Sequence, residues 1–189
     1  KMTSKSHKKH AHLTKPQGGL FGQQEFAFTG APCNIIQNLC NQLATHLNTD
    51  YTIGYADASH QNETDPSAFK TSYTDLISHH DVRFKHDNIT THFRALFNGC
   101  DLILTNGNHF LAKSQIVIVN EQKKVSLEKK LERLSDVKIF ILDNGIEDIF
   151  PFLKKHITNY KDVPLFAIND VVGIGKAIKK IVDSHLIPI

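Results

Sequence analysis

The residues with the most chemical potential stand close together near the front of the chain, in Gly30-Ala31-Pro32-Cys33-Asn34. A loop that feeds the first turn of a helix offers unpaired backbone N–H groups and a partial positive charge, which is enough to hold phosphate without a side chain. Triphosphate hydrolysis asks for more. In the loop G-x-x-x-x-G-K-[ST] the lysine reaches the β and γ phosphates and the hydroxyl holds Mg²⁺. Here Gly30 is present, but the positions of the later Gly, Lys and Ser/Thr hold Ile35, Ile36 and Gln37. A shorter loop puts Cys33 and Asn34 at the helix start, still with no lysine. The segment reads either as a backbone anion site or as an ordinary turn that binds nothing. Both readings lack the groups that carry the electrostatics of phosphoryl transfer.

Cys33 adds a second chemistry. A thiol at a helix N-terminus ionises more readily and is reactive. The sequence names no partner base for it, and a small side chain that fits a tight turn is the plainer explanation. Cys40 and Cys100 fall at apolar-face and strand-start positions and read as core. Three cysteines without a CxxC pair give no disulfide framework, so the expected compartment is the reducing cytoplasm.

Other candidates are weaker. Val172-Gly173-Ile174-Gly175-Lys176-Ala177 looks like part of a glycine-rich loop, but it lies inside a helical pattern. Small residues that let this helix pack on the sheet explain it better. His79, His80, His86 and His92 are loosely grouped, yet neighbours on a strand point to opposite faces, and no HExxH or HxH spacing occurs. The expected metal site is therefore none, and no catalytic residue is assigned. Lys113 and Lys176 are the nearest lysines that could be lent to the loop.

The elements that must position these residues alternate. A β-rich run over 25–30 stops at Gly30, and apolar residues at 35, 36, 39, 40, 43 and 47 predict an amphipathic helix. A second strand over 51–57 follows, so this strand–helix–strand unit requires a parallel sheet with a right-handed crossover. Segments 71–78 and 82–86 predict an antiparallel hairpin at the sheet edge, and 90–97 a short helix. Further strands are expected over 101–107, 116–120, 137–143 and 163–168. Helices are expected over 125–134 and 149–157, with a last one after an Asp170 N-cap. Residues 1–19 read as a basic flexible tail, and 20–189 as a single domain. The chemistry of such a sheet sits outside the carboxyl ends of its strands, where Gly30, Asp57, Asn106-Gly107 and Asp143 converge.

Bulk properties narrow the functions. The 189 residues suffice for one self-contained core. A net charge of +3 without a basic, aromatic-studded stripe argues against nucleic-acid binding. No apolar run is long enough to span a membrane, and the basic start has no apolar stretch behind it, so it does not read as a secretory signal.

The order of elements, the segment Asp101-Leu-Ile-Leu-Thr-Asn-Gly-Asn-His109 and the ending Val163-Pro-Leu-Phe-Ala-Ile-Asn-Asp-Val171 together resemble the MobB family of molybdopterin-guanine dinucleotide biosynthesis adapters. The resemblance spans about residues 25–185. It is greatest to the MobB-like front segment of some bacterial molybdenum cofactor guanylyltransferases (MobA-related). The family's strand ending V-E-G-F-K is matched here by Asn106-Gly107-Asn108-His109, which keeps the glycine and loses the Glu and Lys. Its polar, His-containing stretch is matched by Asp57-Ala58-Ser59-His60. The G-G-x-S-x-R-M-G loop that opens the transferase domain is not found in the chain.

The resemblance implies a three-layer, P-loop NTPase-like α/β fold with a mostly parallel sheet. It also implies GTP or a molybdopterin phosphate as ligand, a guanylyltransferase as partner, and a homodimer, with the 71–86 hairpin as a place for it to form. The implied phosphate and nucleotide contacts are Gly30, Ala31, Pro32, Cys33, Asn34, Asp57, His60, Asn106, Gly107, Asn108 and His109. Whether Mg²⁺ takes part stays open. Three functions remain: an adapter with little or no hydrolysis, a GTPase or kinase with an atypical loop, and a binding module for pterin or nucleotide phosphates.

Overall fold

The computed structural model describes residues 19–22, 24–58, 71–75, 80–84 and 90–186. Its frame is a six-stranded sheet whose pairings are all parallel. The strands are β1 (Gln24–Thr29), β2 (Ile53–Ala56), β5 (Leu102–Asn106), β6 (Ser114–Val119), β7 (Val137–Leu142) and β8 (Leu165–Ala167). Their spatial order is β2-β5-β1-β6-β7-β8. The helices are α1 (Cys33–Leu47), α2 (Thr90–Leu96), α3 (Lys124–Glu128), α4 (Pro151–His156) and α5 (Val171–Leu186). The antiparallel hairpin is present as β3 (Thr71–Asp75) and β4 (His80–Phe84), but it forms a two-stranded sheet of its own and is not the edge of the main one.

The sheet order follows from burial. β5 and β6 are buried at every position. Strands of that kind need a layer on each face and take central places. β5 therefore slots between β1 and β2, so the strand–helix–strand unit β1-α1-β2 is parallel as expected but spans a gap. α1 and α5 cover one face, where Ile36, Leu39, Leu43, Ile174 and Ile178 meet Phe26, Phe28, Leu104 and Ile118. On the other face Leu127, Phe150 and Leu153 cover Val117, Val119 and Phe140. Beside them, near Ile103, Phe21 packs edge to face with Phe97 and Phe110, Phe110 does so with Phe93, and Phe21 and Phe93 meet at a tilt.

Some expected elements change shape. The helix predicted over 125–134 breaks into α3 and a 3₁₀ turn at Leu131–Arg133. Leu127 and Leu134 still reach the same apolar cluster, and Leu131 packs on it. The tighter turn advances farther per residue and delivers the chain to β7. α4 starts with Pro151 in its first turn, where its missing N–H costs nothing. The Asp170 cap forms: its Oδ1 accepts the Gly173 N–H at 2.9 Å. The small residues of α5 serve a different contact from the one expected. A Cβ on Gly175 would lie 2.5 Å from the His46 ring, so this glycine lets α5 approach α1, not the sheet.

At the amino-terminal end of the sheet the buried Glu25 carboxylate accepts the backbone N–H groups of Phe21, Gly22 and Lys113. It pins the entry segment. A cleft of about 670 Å³ opens there beside Leu20, Leu111 and Asp136. It lies at the opposite end of the sheet from the loop Gly30–Pro32. Residues 1–18, which make up all but the last position of the expected tail, lie outside the described residues, as do His60, His79 and His86. Among the described residues no helix is long and apolar enough to cross a membrane.

Candidate functional site

Parallel strands bring their carboxyl ends to one rim, and side-chain alternation decides which groups face α1 there. Phe26 and Phe28 of β1, Leu102 and Leu104 of β5, and Ile53 and Tyr55 of β2 belong to the α1 side. Two residues farther along each of β5 and β2 stand Asn106 and Asp57, on the same side. Sequence reasoning placed these residues at strand ends, and the fold gathers them beneath the first turn of α1.

The loop between β1 and α1 is only Gly30-Ala31-Pro32. Gly30 has φ +92°, and a Cβ on it would lie 2.4 Å from the Ile118 carbonyl oxygen. Glycine is required here both for the turn and for the close approach to β6. The helix begins at Cys33, as the short-loop alternative expected, and no lysine stands in its first turn. Pro32 carries the cap position and has no side-chain hydrogen bond to the helix, and no acidic residue stands in the first turn. The Ile35 and Ile36 N–H groups turn back to the Pro32 carbonyl at 3.0 and 3.1 Å. The positive end of a 15-residue helix therefore points out of the rim without a side-chain cap.

The segment after β5 closes over this turn. Gly107 donates to the Phe28 carbonyl at 2.8 Å, and its own Cβ position is crowded by that oxygen at 2.9 Å. Asn106 Oδ1 accepts the Asn108 N–H at 3.1 Å, while Asn106 Nδ2 is buried and finds no acceptor among the described residues. Asn108 Nδ2 donates to the Ala31 carbonyl at 2.9 Å and lies 3.6 Å from Cys33 Sγ. His109 Nε2 lies 3.4 Å from Cys33 Sγ and 4.0 Å from Asp57 Oδ1. Asp57 in turn accepts the Tyr55 hydroxyl at 2.7 Å and the Ala58 N–H at 2.7 Å. Burial pushes the ionisation of the Tyr55 phenol upward, and the hydrogen bond to Asp57 adds to it, so Tyr55 stays a neutral donor. Two turns into α1, the Cys40 thiol is raised far up by burial and then by the Asp57 charge.

A cleft of about 460 Å³ runs from Asn34 along α1 to the ends of β7 and β8. Its walls are Asn34, Asn38, Gln42, Asp143, Asn144 and Asn169, with Ile35, Leu39 and Ile168 as apolar surface. That size falls within the range of small-molecule sites. Sequence reasoning named Asp143 and Asn34 but missed Asn38 and Gln42. The signal was available: residues 34, 38 and 42 recur every four positions, a polar stripe beside the apolar one.

The site residues Gly30, Ala31, Pro32, Cys33, Asn34, Asp57, Asn106, Gly107, Asn108 and His109 thus share one rim. Neither candidate for a lent lysine reaches it. Lys113 precedes β6 at the far end of the sheet. Lys176 follows Gly175, which packs on His46, about 20 Å down α1 from Cys33 at 1.5 Å per residue. Among the described residues no three His, Cys, Asp or Glu side chains group to hold a metal ion.

No protein-family model matches the chain, and no curated protein matches its sequence. The fold is similar to the solved structure of Bacillus subtilis MobB, with a TM-score of 0.52 over 86% of this chain and 95% of that one. The two are 13% identical, so the likeness is one of fold: a MobB-like, P-loop NTPase-like α/β domain.

Proposed function

We propose that this chain is a phosphate-holding adapter module in the maturation of molybdenum cofactor to its guanine dinucleotide form. In this reading it binds GTP, GDP or a molybdopterin phosphate at the strand-end rim and leaves the phosphates intact. Its partner is a molybdenum cofactor guanylyltransferase, separate or fused, and it works in the cytoplasm as a homodimer. The observation that carries the reading is the uncapped first turn of α1 opening beside a cleft wide enough for a heterocycle. The amide walls supply paired donors and acceptors for a ring edge, and Ile35, Leu39 and Ile168 supply surface for its face. The MobB-like fold supports the pathway.

Hydrolysis is disfavoured by the same geometry. A three-residue loop has no room for the glycine–lysine–hydroxyl series. Both lysines that could substitute lie away from the rim. Mg²⁺ has no Ser or Thr hydroxyl in the first turn of α1 to hold it. The experiment is a calorimetric comparison of GTP, GDP and a pterin phosphate, paired with co-purification against a molybdenum cofactor guanylyltransferase. Saturable binding of at least one ligand and recovery of the transferase are expected. Failure of both rejects the proposal.

A further inference from the structure

Phosphate binding does not use the thiol at the mouth of the site. Cys33 is partly exposed, occupies the first position of α1, and faces His109 Nε2 at 3.4 Å. A helix N-terminus and a neighbouring histidine are two of the surroundings that favour a thiolate. We propose that Cys33 is a nucleophilic thiol, with His109 as its base, that exchanges with small disulfides at this rim.

The arrangement of the carboxylate sets the class of chemistry. Asp57 Oδ1 approaches the same ring nitrogen that faces the sulfur. In an acyl-transfer triad the carboxylate holds the opposite nitrogen and fixes the tautomer. Here it lies on the sulfur side, so the ring nitrogen that would take the thiol proton is the one the carboxylate faces. That suits exchange, in which a proton must wait for a leaving thiolate. A donor also faces the sulfur, Asn108 Nδ2 at 3.6 Å, and two residues before it, at the end of β5, the Nδ2 of Asn106 is buried without a partner among the described residues. An unpaired buried amide donor marks a place where an acceptor is expected.

The step balances with the disulfide as oxidant. The Cys33 thiolate attacks one sulfur of R–S–S–R, the S–S bond breaks and a Cys33–S–S–R bond forms. The departing R–S⁻ takes the proton from His109 and leaves as R–SH. Among the described residues, the titratable groups near the sulfur are His109 after β5, Asp57 and Tyr55 from β2, Cys40 on α1 itself, and Asp143 across the cleft from Asn34. Cys40 is buried and Cys100 is held up by desolvation and then by Asp101, so neither competes. This proposal stands apart from the phosphate reading, because it needs only the pair and an accessible sulfur.

The test labels the intact chain with 4,4′-dithiodipyridine and follows each cysteine by peptide mass analysis across pH. Cys33 should react at least ~10-fold faster than Cys100 near neutrality, with a rate midpoint below the ~8.5 of a free thiol. His109→Gln should move that midpoint upward and slow the neutral reaction about 10-fold. A second measurement leaves His109 in place: thiolate absorbance of the wild type minus that of Cys33→Ser gives the midpoint directly. Equal labelling of Cys33 and Cys100, an unchanged profile in His109→Gln, or a difference midpoint at or above ~8.5 overturns the proposal. Phosphate titrations are run separately, so their failure rejects the ligand reading and leaves this one standing.

Discussion

Cys33 Sγ and His109 Nε2 stand 3.4 Å apart although 76 residues separate them in the chain. The contact exists because β5 inserts beside β1 and brings the segment after it over the first turn of α1. It sets a thiol–imidazole pair at the loop between β1 and α1, with Asn108 tying the two sides together.

Asn108→Ala tests that tie. The variant loses the hydrogen bond to the Ala31 carbonyl and should unfold with about 1 kcal/mol less stability, the usual worth of a partly buried pair. A larger effect is expected on ligand affinity, a loss of about 10-fold, because the loop no longer holds its shape. Urea denaturation and calorimetry on the same sample separate the two effects. Full affinity in a folded Asn108→Ala protein would remove this residue from the site.

Two glycines should respond oppositely to alanine. Gly30 has φ +92° and its Cβ would strike a backbone oxygen that cannot swing away, so Gly30→Ala should cost at least ~2 kcal/mol. Gly175 meets only the ring of an exposed histidine, which can rotate aside, and alanine raises helix propensity by up to about 1 kcal/mol. Gly175→Ala should therefore fall within ~1 kcal/mol of wild type. Chemical denaturation of both variants decides it, and the reverse ranking would contradict the described loop.

Alkaline pH should destabilise the fold through Tyr51 and Tyr55. Burial, then hydrogen bonds to Asp183 and Asp57 respectively, raise both phenols above their ordinary range. A group with a raised folded pKa contributes its full stability below its unfolded pKa of ~10 and loses it as pH climbs beyond that value. Phenolate absorbance should thus show two of the four tyrosines resisting ionisation until the chain unfolds. Tyr51→Phe should flatten the alkaline decline. Four tyrosines titrating together near pH ~10 in folded protein would contradict this.

The alternation of strands and helices was legible because both carry strong periods: the unbroken apolar run 102–104 and the 35, 36, 39, 40, 43, 47 face of α1. The rim was legible for the same reason, since Gly30, Asp57 and Asn106-Gly107 each terminate such a run. Partnership was not. No local pattern tells that β5 separates β1 from β2, so the base for Cys33 could not be found from spacing. The break after α3 was hidden because Leu127, Leu131 and Leu134 keep helical spacing while the chain tightens to reach β7. Gly175 was read against the wrong neighbour because sequence shows that a surface is flat, not what lies on it.

The central claim is tested most directly by one titration of the full chain with Mg²⁺-GTP, in which binding heat and released phosphate are measured together. Saturable heat with phosphate release no faster than in buffer is the predicted result. Turnover above buffer would contradict it, whether or not it survives Lys113→Ala and Lys176→Ala, as would the absence of binding to GTP, GDP and pterin phosphate alike.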